Sequence, residues 1–94
     1  MDADILGELD TVSQIRFIKG FKLEAETQRY KFATAEKRDG VTRLSIYELL
    51  PEQSKVVKLR EVPIGDDVTS LDTSEDFIVI GQNSGQGRVR VFDI

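Results

Sequence analysis

Two six-residue stretches of the chain lie 45 residues apart and carry the same class of residue at every position. Leu44–Leu49 and Val89–Ile94 both run apolar, polar, apolar, aromatic, acidic, apolar. At the similar offset of 46, Lys31–Ala35 aligns with Phe77–Gly81. Such self-similarity indicates two copies of one supersecondary unit, which must bury its apolar surface against a neighbouring unit.

Upstream of these stretches the two copies differ in length. Val12–Ile15 aligns with Val68–Leu71 at an offset of 56, which is larger than the offset of the later segments. We therefore expect the first copy to carry an insertion of about ten residues, the polar stretch near residues 19–29.

Apolar residues recur at every second position from about Val12 onward, and most are β-branched or aromatic, as is typical of half-buried strands. Clusters of Gly, Pro, Asp and Asn separate these runs and predict tight turns, so the predicted fold class is all-β with antiparallel strands. The alternating apolar residues are Ile15 and Phe17, Phe32, Leu44 and Ile46, Val57 and Leu59, and Val89 and Val91. The helix-like stretches Ala3–Leu9 and Leu23–Arg29 are too short to be stable alone, so we expect an N-terminal arm over residues 1–10 and a loop.

The 94-residue chain contains neither cysteine nor histidine, which excludes disulfides, thiolate nucleophiles, imidazole bases and nearly all zinc sites. Its 13 Lys and Arg against 17 Asp and Glu give a net charge of −4, which does not support binding to a phosphate backbone. No apolar stretch reaches membrane-spanning length, and the acidic N-terminus is unlike a secretory signal. We therefore expect an intracellular protein of the cytoplasm or nucleus that is not an enzyme and uses no cofactor, metal, nucleic acid, membrane or small-molecule substrate.

Two stretches superficially resemble ligand sites. The acidic residues around Asp66, Asp72 and Glu75 lack the spacing of a calcium loop, and turn formation explains them better. Gly81–Gly87 contains G-x-x-x-G-x-G, but no Lys-Ser/Thr follows it and the downstream segment is a predicted strand. We interpret this run as a hairpin loop.

The pairs Tyr47-Glu48 and Phe92-Asp93, which close the two repeats, resemble the aromatic–acidic pair that ends the third strand of each unit in WD-repeat β-propellers. The second copy, Asp67–Ile94, is similar to the family pattern along its length. The irregular first unit is also similar to the opening blade of small nuclear-pore and checkpoint scaffold propellers. The resemblance implies two antiparallel four-stranded blades, the second incomplete, that form part of a propeller. It would place the inner strands at Val12–Phe17 and Val68–Asp72, the second strands at Phe32–Ala35 and Phe77–Gly81, and the third strands at Thr42–Leu49 and Arg88–Ile94.

In that arrangement the first blade would span residues 11–62 and the second residues 63–94. Lys55–Val62 would be the outer strand of the first blade, pairing antiparallel with Thr42–Leu49, while the second blade would lack its outer strand. Tyr47 and Phe92 would occupy equivalent positions in the two sheets.

Two departures from the family pattern affect how the blades would be held together. Gly65-Asp66 stands where the family has Gly-His, and Tyr47 and Phe92 stand where it has Trp. The buried Asp-His-Ser-Trp network of the family cannot form, so we expect apolar packing alone to hold the blades.

A propeller needs at least about four blades, so two would leave apolar sheet faces uncovered. We expect Ile78, Ile80, Val89 and Val91 to have too little cover within the chain, with Val91 directed toward packing and Arg90 toward the more polar face. The candidate interaction residues are Phe21, Leu23 and Tyr30 of the insertion and Val89, Val91 and Phe92 of the last strand.

These features favour a non-catalytic protein–protein interaction scaffold that completes itself with further blades or a partner chain. Two alternatives stay open at this point: a small self-contained β-barrel or sandwich that acts as a binding module, and a fragment of a propeller enzyme whose chemistry lies in other blades.

Overall fold

A computed structural model of the protein describes residues 4–93, except the side chain of Ser84. These residues form two antiparallel β-sheets, which confirms the predicted all-β class. The strands are β1 (Gln14–Leu23), β2 (Tyr30–Arg38), β3 (Val41–Leu50), β4 (Lys55–Gly65), β5 (Val68–Thr73), β6 (Phe77–Ser84) and β7 (Gln86–Asp93). A single 3-10 turn, Pro51–Gln53, joins β3 to β4 within this part of the chain.

The strands follow one another in space as they do in sequence. The first sheet has the order β1-β2-β3-β4 and the second has the order β5-β6-β7. The prediction that Lys55–Val62 pairs antiparallel with Thr42–Leu49 is confirmed, because β4 lies beside β3 at the edge of the first sheet. The predicted end of the last strand, Ile94, lies outside the described residues.

The β2–β3 hairpin shows how turn residues fix the strand register. Asp39 and Gly40 both have positive φ, 52° and 75°, which matches the backbone twist that a two-residue hairpin requires. Arg38 therefore pairs with Val41, and the register continues to Tyr30 opposite Leu49.

The strand register reproduces the sequence repeat. In the first sheet Phe32 lies opposite Tyr47, and in the second sheet Ile78 lies opposite Phe92. The next three residue pairs correspond in the same way. In the first hairpin they are Ala33–Ile46, Thr34–Ser45 and Ala35–Leu44. Their counterparts in the second hairpin are Val79–Val91, Ile80–Arg90 and Gly81–Val89. Tyr47 and Phe92 thus hold equivalent places in the two sheets, as the sequence predicts.

The register of β1 differs from the predicted one. Ile18 lies opposite Thr34 and Leu71 opposite Ile80, so Ile18 rather than Ile15 is the counterpart of Leu71. Two bulges in β1, between Ile15 and Phe17 and beyond Gly20, shift the alternation in a way that residue pattern alone does not reveal. The predicted insertion is also partly strand, because β1 extends to Leu23 and only residues 24–29 form the loop.

The apolar core lies between the two sheets. Its fully buried members come from both sheets and from the β4–β5 connection: Ala33, Ala35, Leu44, Ile46, Ile64, Val68, Ile78 and Ile80. Phe17, Phe21, Leu71 and Phe92 are partly buried against this cluster. Each sheet therefore buries one apolar face against the other sheet, which leaves each with a second face turned outward.

Polar contacts fasten the connection between the sheets. The Asp67 carboxylate, just beyond β4, receives the Lys37 ammonium at 3.1 Å and the Thr42 hydroxyl at 3.2 Å, and these two bonds lower the pKa of Asp67. Gln82 donates to the carbonyl oxygens of Ile64 and Asp66 at 3.2 and 2.8 Å. The connection is thus held by side chains of both sheets.

Candidate interaction faces

The outward-facing side of the second sheet carries a group of exposed apolar side chains. Phe77, Val79, Val89 and Val91 are 49%, 38%, 74% and 59% exposed, and strand alternation places all four on the same side. We call this group the outer face of the second sheet. The placement agrees with the expectation that Val89 and Val91 lack cover within the chain.

Two related expectations are wrong. Ile78 and Ile80 have no exposed surface, because the first sheet covers them completely. Arg90 points between the sheets, where Nη1 donates to the Ile64 carbonyl at 3.3 Å and the guanidinium lies 5.1 Å from the Phe92 ring centroid. Val91 consequently faces outward, since its neighbour on the strand takes the inward position.

The other sequence-predicted residues fall in different places. Phe21 and Phe92 pack against the core between the sheets, and Leu23 is 59% exposed at the end of β1. Tyr30 begins β2, where its ring lies over Gly20 and stacks on Phe32 with a centroid distance of 6.1 Å. The structure therefore separates the six candidates into three pairs: Val89 and Val91 share the outer face of the second sheet, Leu23 and Tyr30 lie opposite each other at the end of the β1–β2 pair and are both exposed, and Phe21 and Phe92 are partly buried.

The outward-facing side of the first sheet carries an aromatic row and a buried polar group. Tyr30, Phe32 and Tyr47 stack in sequence across β2 and β3, with 5.5 Å between the Phe32 and Tyr47 centroids. Ile18 lies on the same side, opposite Thr34, and is 62% exposed. We call this side, which includes Ile18, Phe32, Thr34 and Tyr47, the outer face of the first sheet.

A buried, hydrogen-bonded carboxyl lies on this side of the first sheet, near the hairpin end of β2. Glu36 is 1% exposed, and its Oε2 accepts bonds from the Tyr47 hydroxyl at 2.5 Å and the Thr34 hydroxyl at 2.6 Å. Burial, followed by the bond to Glu36, raises the pKa of Tyr47 well above its ordinary value. The expectation that apolar packing alone holds the first sheet is therefore wrong, because a buried polar network does form there with different residues from those of the WD-repeat family.

Sequence reasoning did not single out Glu36, although one signal was present. Its counterpart in the repeat is Gln82, which is also buried and hydrogen-bonded, so both copies carry a long polar side chain at the same strand position. A polar residue conspicuously out of place in an apolar strand pattern marks a buried network.

The N-terminal segment, residues 4–12, lies across part of the outer face of the first sheet. Gly7 comes so close that a Cβ atom there would be 2.7 Å from Leu49 Cδ1, on the β3 side of the face. The described part of this segment forms no strand pairing with the sheet, and a cavity of about 210 Å³ remains between them, lined in part by Leu9, Phe32 and Tyr47. The segment is therefore a partial cover that leaves the β1 side of the face open.

Within residues 4–93, no group of acidic side chains is arranged to hold a metal ion, and no helix is long and apolar enough to cross a membrane. The features that stand out are instead two sheet faces, one exposed and one loosely covered. Comparisons with protein families, curated proteins and solved structures gave no match to the chain.

Proposed function

We propose that the protein is a non-catalytic protein–protein interaction scaffold, a partial propeller of the WD-repeat kind that is completed by further β-sheet units or by a partner chain. One observation carries this proposal: the exposed residues of the second sheet are the repeat counterparts of the buried residues of the first. Val89 and Val91 correspond to Leu44 and Ile46, which are 3% and 7% exposed in the core.

This correspondence gives the outer face of the second sheet a specific meaning. In the first unit, the side chains at these positions pack against the next unit along the chain. The second unit presents apolar side chains at the same positions, but the described residues place nothing against them. A face with four partly exposed apolar side chains in one group is typical of a surface that binds protein.

The strand edges support the same proposal. β7 pairs with β6 on one side only, whereas its counterpart β3 has β4 on the other side. Among the residues described, the position beside β7 that corresponds to β4 is therefore open to an added strand. An added outer strand would pair with this edge, and a further blade would cover the valines.

The proposal can be tested by site-specific photo-crosslinking in cells that express the protein. A photoreactive residue at Val89 should crosslink to polypeptide that mass spectrometry then identifies, and Val91→Asp should abolish the product. Ala25, which is exposed in the loop of residues 24–29 and lies outside both sheets, provides the matched control position. Equal crosslinking at both positions, or none at Val89, would refute the proposal.

A further inference from the structure

The two sheets of this chain pack in a way that can continue from one molecule to the next. The side of the second sheet that contacts the first sheet carries Leu71, Ile78, Ile80 and Phe92. By strand register, their counterparts in the first sheet are Ile18, Phe32, Thr34 and Tyr47. These counterparts make up the outer face of the first sheet.

The two outward faces of the described residues therefore match, position by position, the two surfaces that pack together between the sheets. The outer face of the second sheet corresponds to the inward side of the first sheet, with Val89 and Val91 at the positions of Leu44 and Ile46. The outer face of the first sheet corresponds to the inward side of the second sheet, with Tyr47 at the position of Phe92. The two faces correspond residue by residue to surfaces that already pack together.

From this correspondence we infer that a second copy of the chain docks head-to-tail, the outer face of the second sheet of one copy packing on the outer face of the first sheet of the next. The inference rests on the proposed function and names the partner. It continues an interface present within the chain, and the contact is heterologous, so an open assembly retains one free face of each kind until a ring closes.

The N-terminal segment lies in the way of this contact, but it holds its place weakly. Ile5 and Leu6 of this segment are 75% and 58% exposed, and the cavity beneath it forfeits packing contacts. The β1 side of the face, where Ile18 is exposed, is open without any movement of the segment. An incoming sheet would therefore displace a poorly packed cover and gain a sheet-on-sheet contact.

The expected affinity is modest. A face of three strands, each of eight or fewer residues, measures about 27 Å by 14 Å from standard strand dimensions. Its projected area, on the order of 400 Å², is below the roughly 800 Å² per partner of a standard stable interface. Association should therefore depend on concentration and be visible from tens of micromolar upward, roughly the weak end of specific binding.

Sedimentation velocity on the full chain over a wide concentration range tests the inference. Val91→Asp removes one face and Ile18→Asp removes the other, and both positions are more than half exposed, so each variant should fold. Each variant alone should associate at least about tenfold more weakly than the unmodified chain, because a carboxylate would be buried in the contact. Ala25→Asp, in the exposed loop of residues 24–29, should associate normally, and far-UV circular dichroism with urea midpoints verifies folding.

Mixing the two variants distinguishes head-to-tail contact from every symmetric one. Each variant retains the face that the other lacks, so an equimolar mixture should form a 1:1 dimer and nothing larger. Dimerisation of Ile18→Asp alone would overturn the inference, because it would show that two second-sheet faces pair with each other. A mixture that stays monomeric, or an unmodified chain that stays monomeric at high concentration, would overturn it as well.

The crosslinking experiment separates this inference from the proposed function. Crosslinks from Val89 to another copy of the chain support both. Crosslinks from Val89 to a different protein, without any to the chain itself, would overturn the head-to-tail inference and leave the proposed scaffold function standing.

Discussion

Replacing Ile80 by alanine tests which side of the second sheet is buried within a single molecule. Ile80 lies on β6, the central strand, and has no exposed surface. The substitution removes three buried carbon atoms, which costs about 2.4 kcal/mol at roughly 0.8 kcal/mol for each. Any cavity that fails to collapse adds to this at about 24 cal/mol per Å³, so the expected total loss is about 2.5–4.5 kcal/mol.

Val79→Ala is the matched control, because Val79 is the neighbour of Ile80 on the same strand and points to the opposite side. It is 38% exposed and loses only two carbon atoms, so the expected cost is about 1 kcal/mol, including the lower strand preference of alanine. A domain of this length has a free energy of unfolding of about 5–14 kcal/mol, so the two variants should be easy to tell apart.

The assay is urea unfolding followed by far-UV circular dichroism, since the chain contains no tryptophan. Protein concentration is kept in the low micromolar range so that contacts between copies do not contribute. Equal losses for the two variants, or a larger loss for Val79→Ala, would refute the assignment of inward and outward sides.

Three further outcomes are expected. In a Tyr30→Phe background, ultraviolet titration should show the Tyr47 phenol ionising only well above pH 10, and Tyr47→Phe should lower the free energy of unfolding by about 1–3 kcal/mol, because Glu36 loses a donor. Because the pKa of Asp67 is lowered in the fold, its stabilising contribution is present at neutral pH and is lost below about pH 4; Asp67→Asn should therefore unfold at the same midpoint as the unmodified chain near pH 2 and at a lower one near pH 6. Gly20→Ala should displace the Tyr30 ring, and its cost in urea unfolding should fall when Tyr30 is also alanine. The described contacts would be contradicted if Tyr47 ionised near pH 10 or if the midpoint difference for Asp67→Asn did not change with pH. They would also be contradicted if the costs of Gly20→Ala and Tyr30→Ala were additive.

The repeat can be predicted from the sequence, because it is found by comparing residue types a fixed number of positions apart. The offset that links Tyr47 to Phe92 needs no knowledge of geometry, and the hairpins preserve it through continuous pairing from β2 to β3 and from β6 to β7. The bulges of β1 break this continuity. The correspondence between Ile18 and Leu71 is therefore visible only in the structure.

Alternation also leaves one choice undetermined. It shows that Arg90 and Val91 point to opposite sides of β7, but it does not show which side faces the neighbouring sheet. Hydrophobicity favours the valine as the inward residue, yet the long arginine is accommodated because its guanidinium reaches the Ile64 carbonyl and lies on the Phe92 ring. The valine is left for an outward contact.

The composition of β6 has a consequence for how the protein misfolds. Its eight residues, Phe77–Ser84, contain no charged side chain and begin with four large apolar residues. In the folded state both edges of this strand are occupied, by β5 and β7, so it is shielded from other chains. Unfolding releases a segment of the kind that stacks into cross-β fibrils, so the rate of fibril formation should follow the fraction of molecules in which the small second sheet is open.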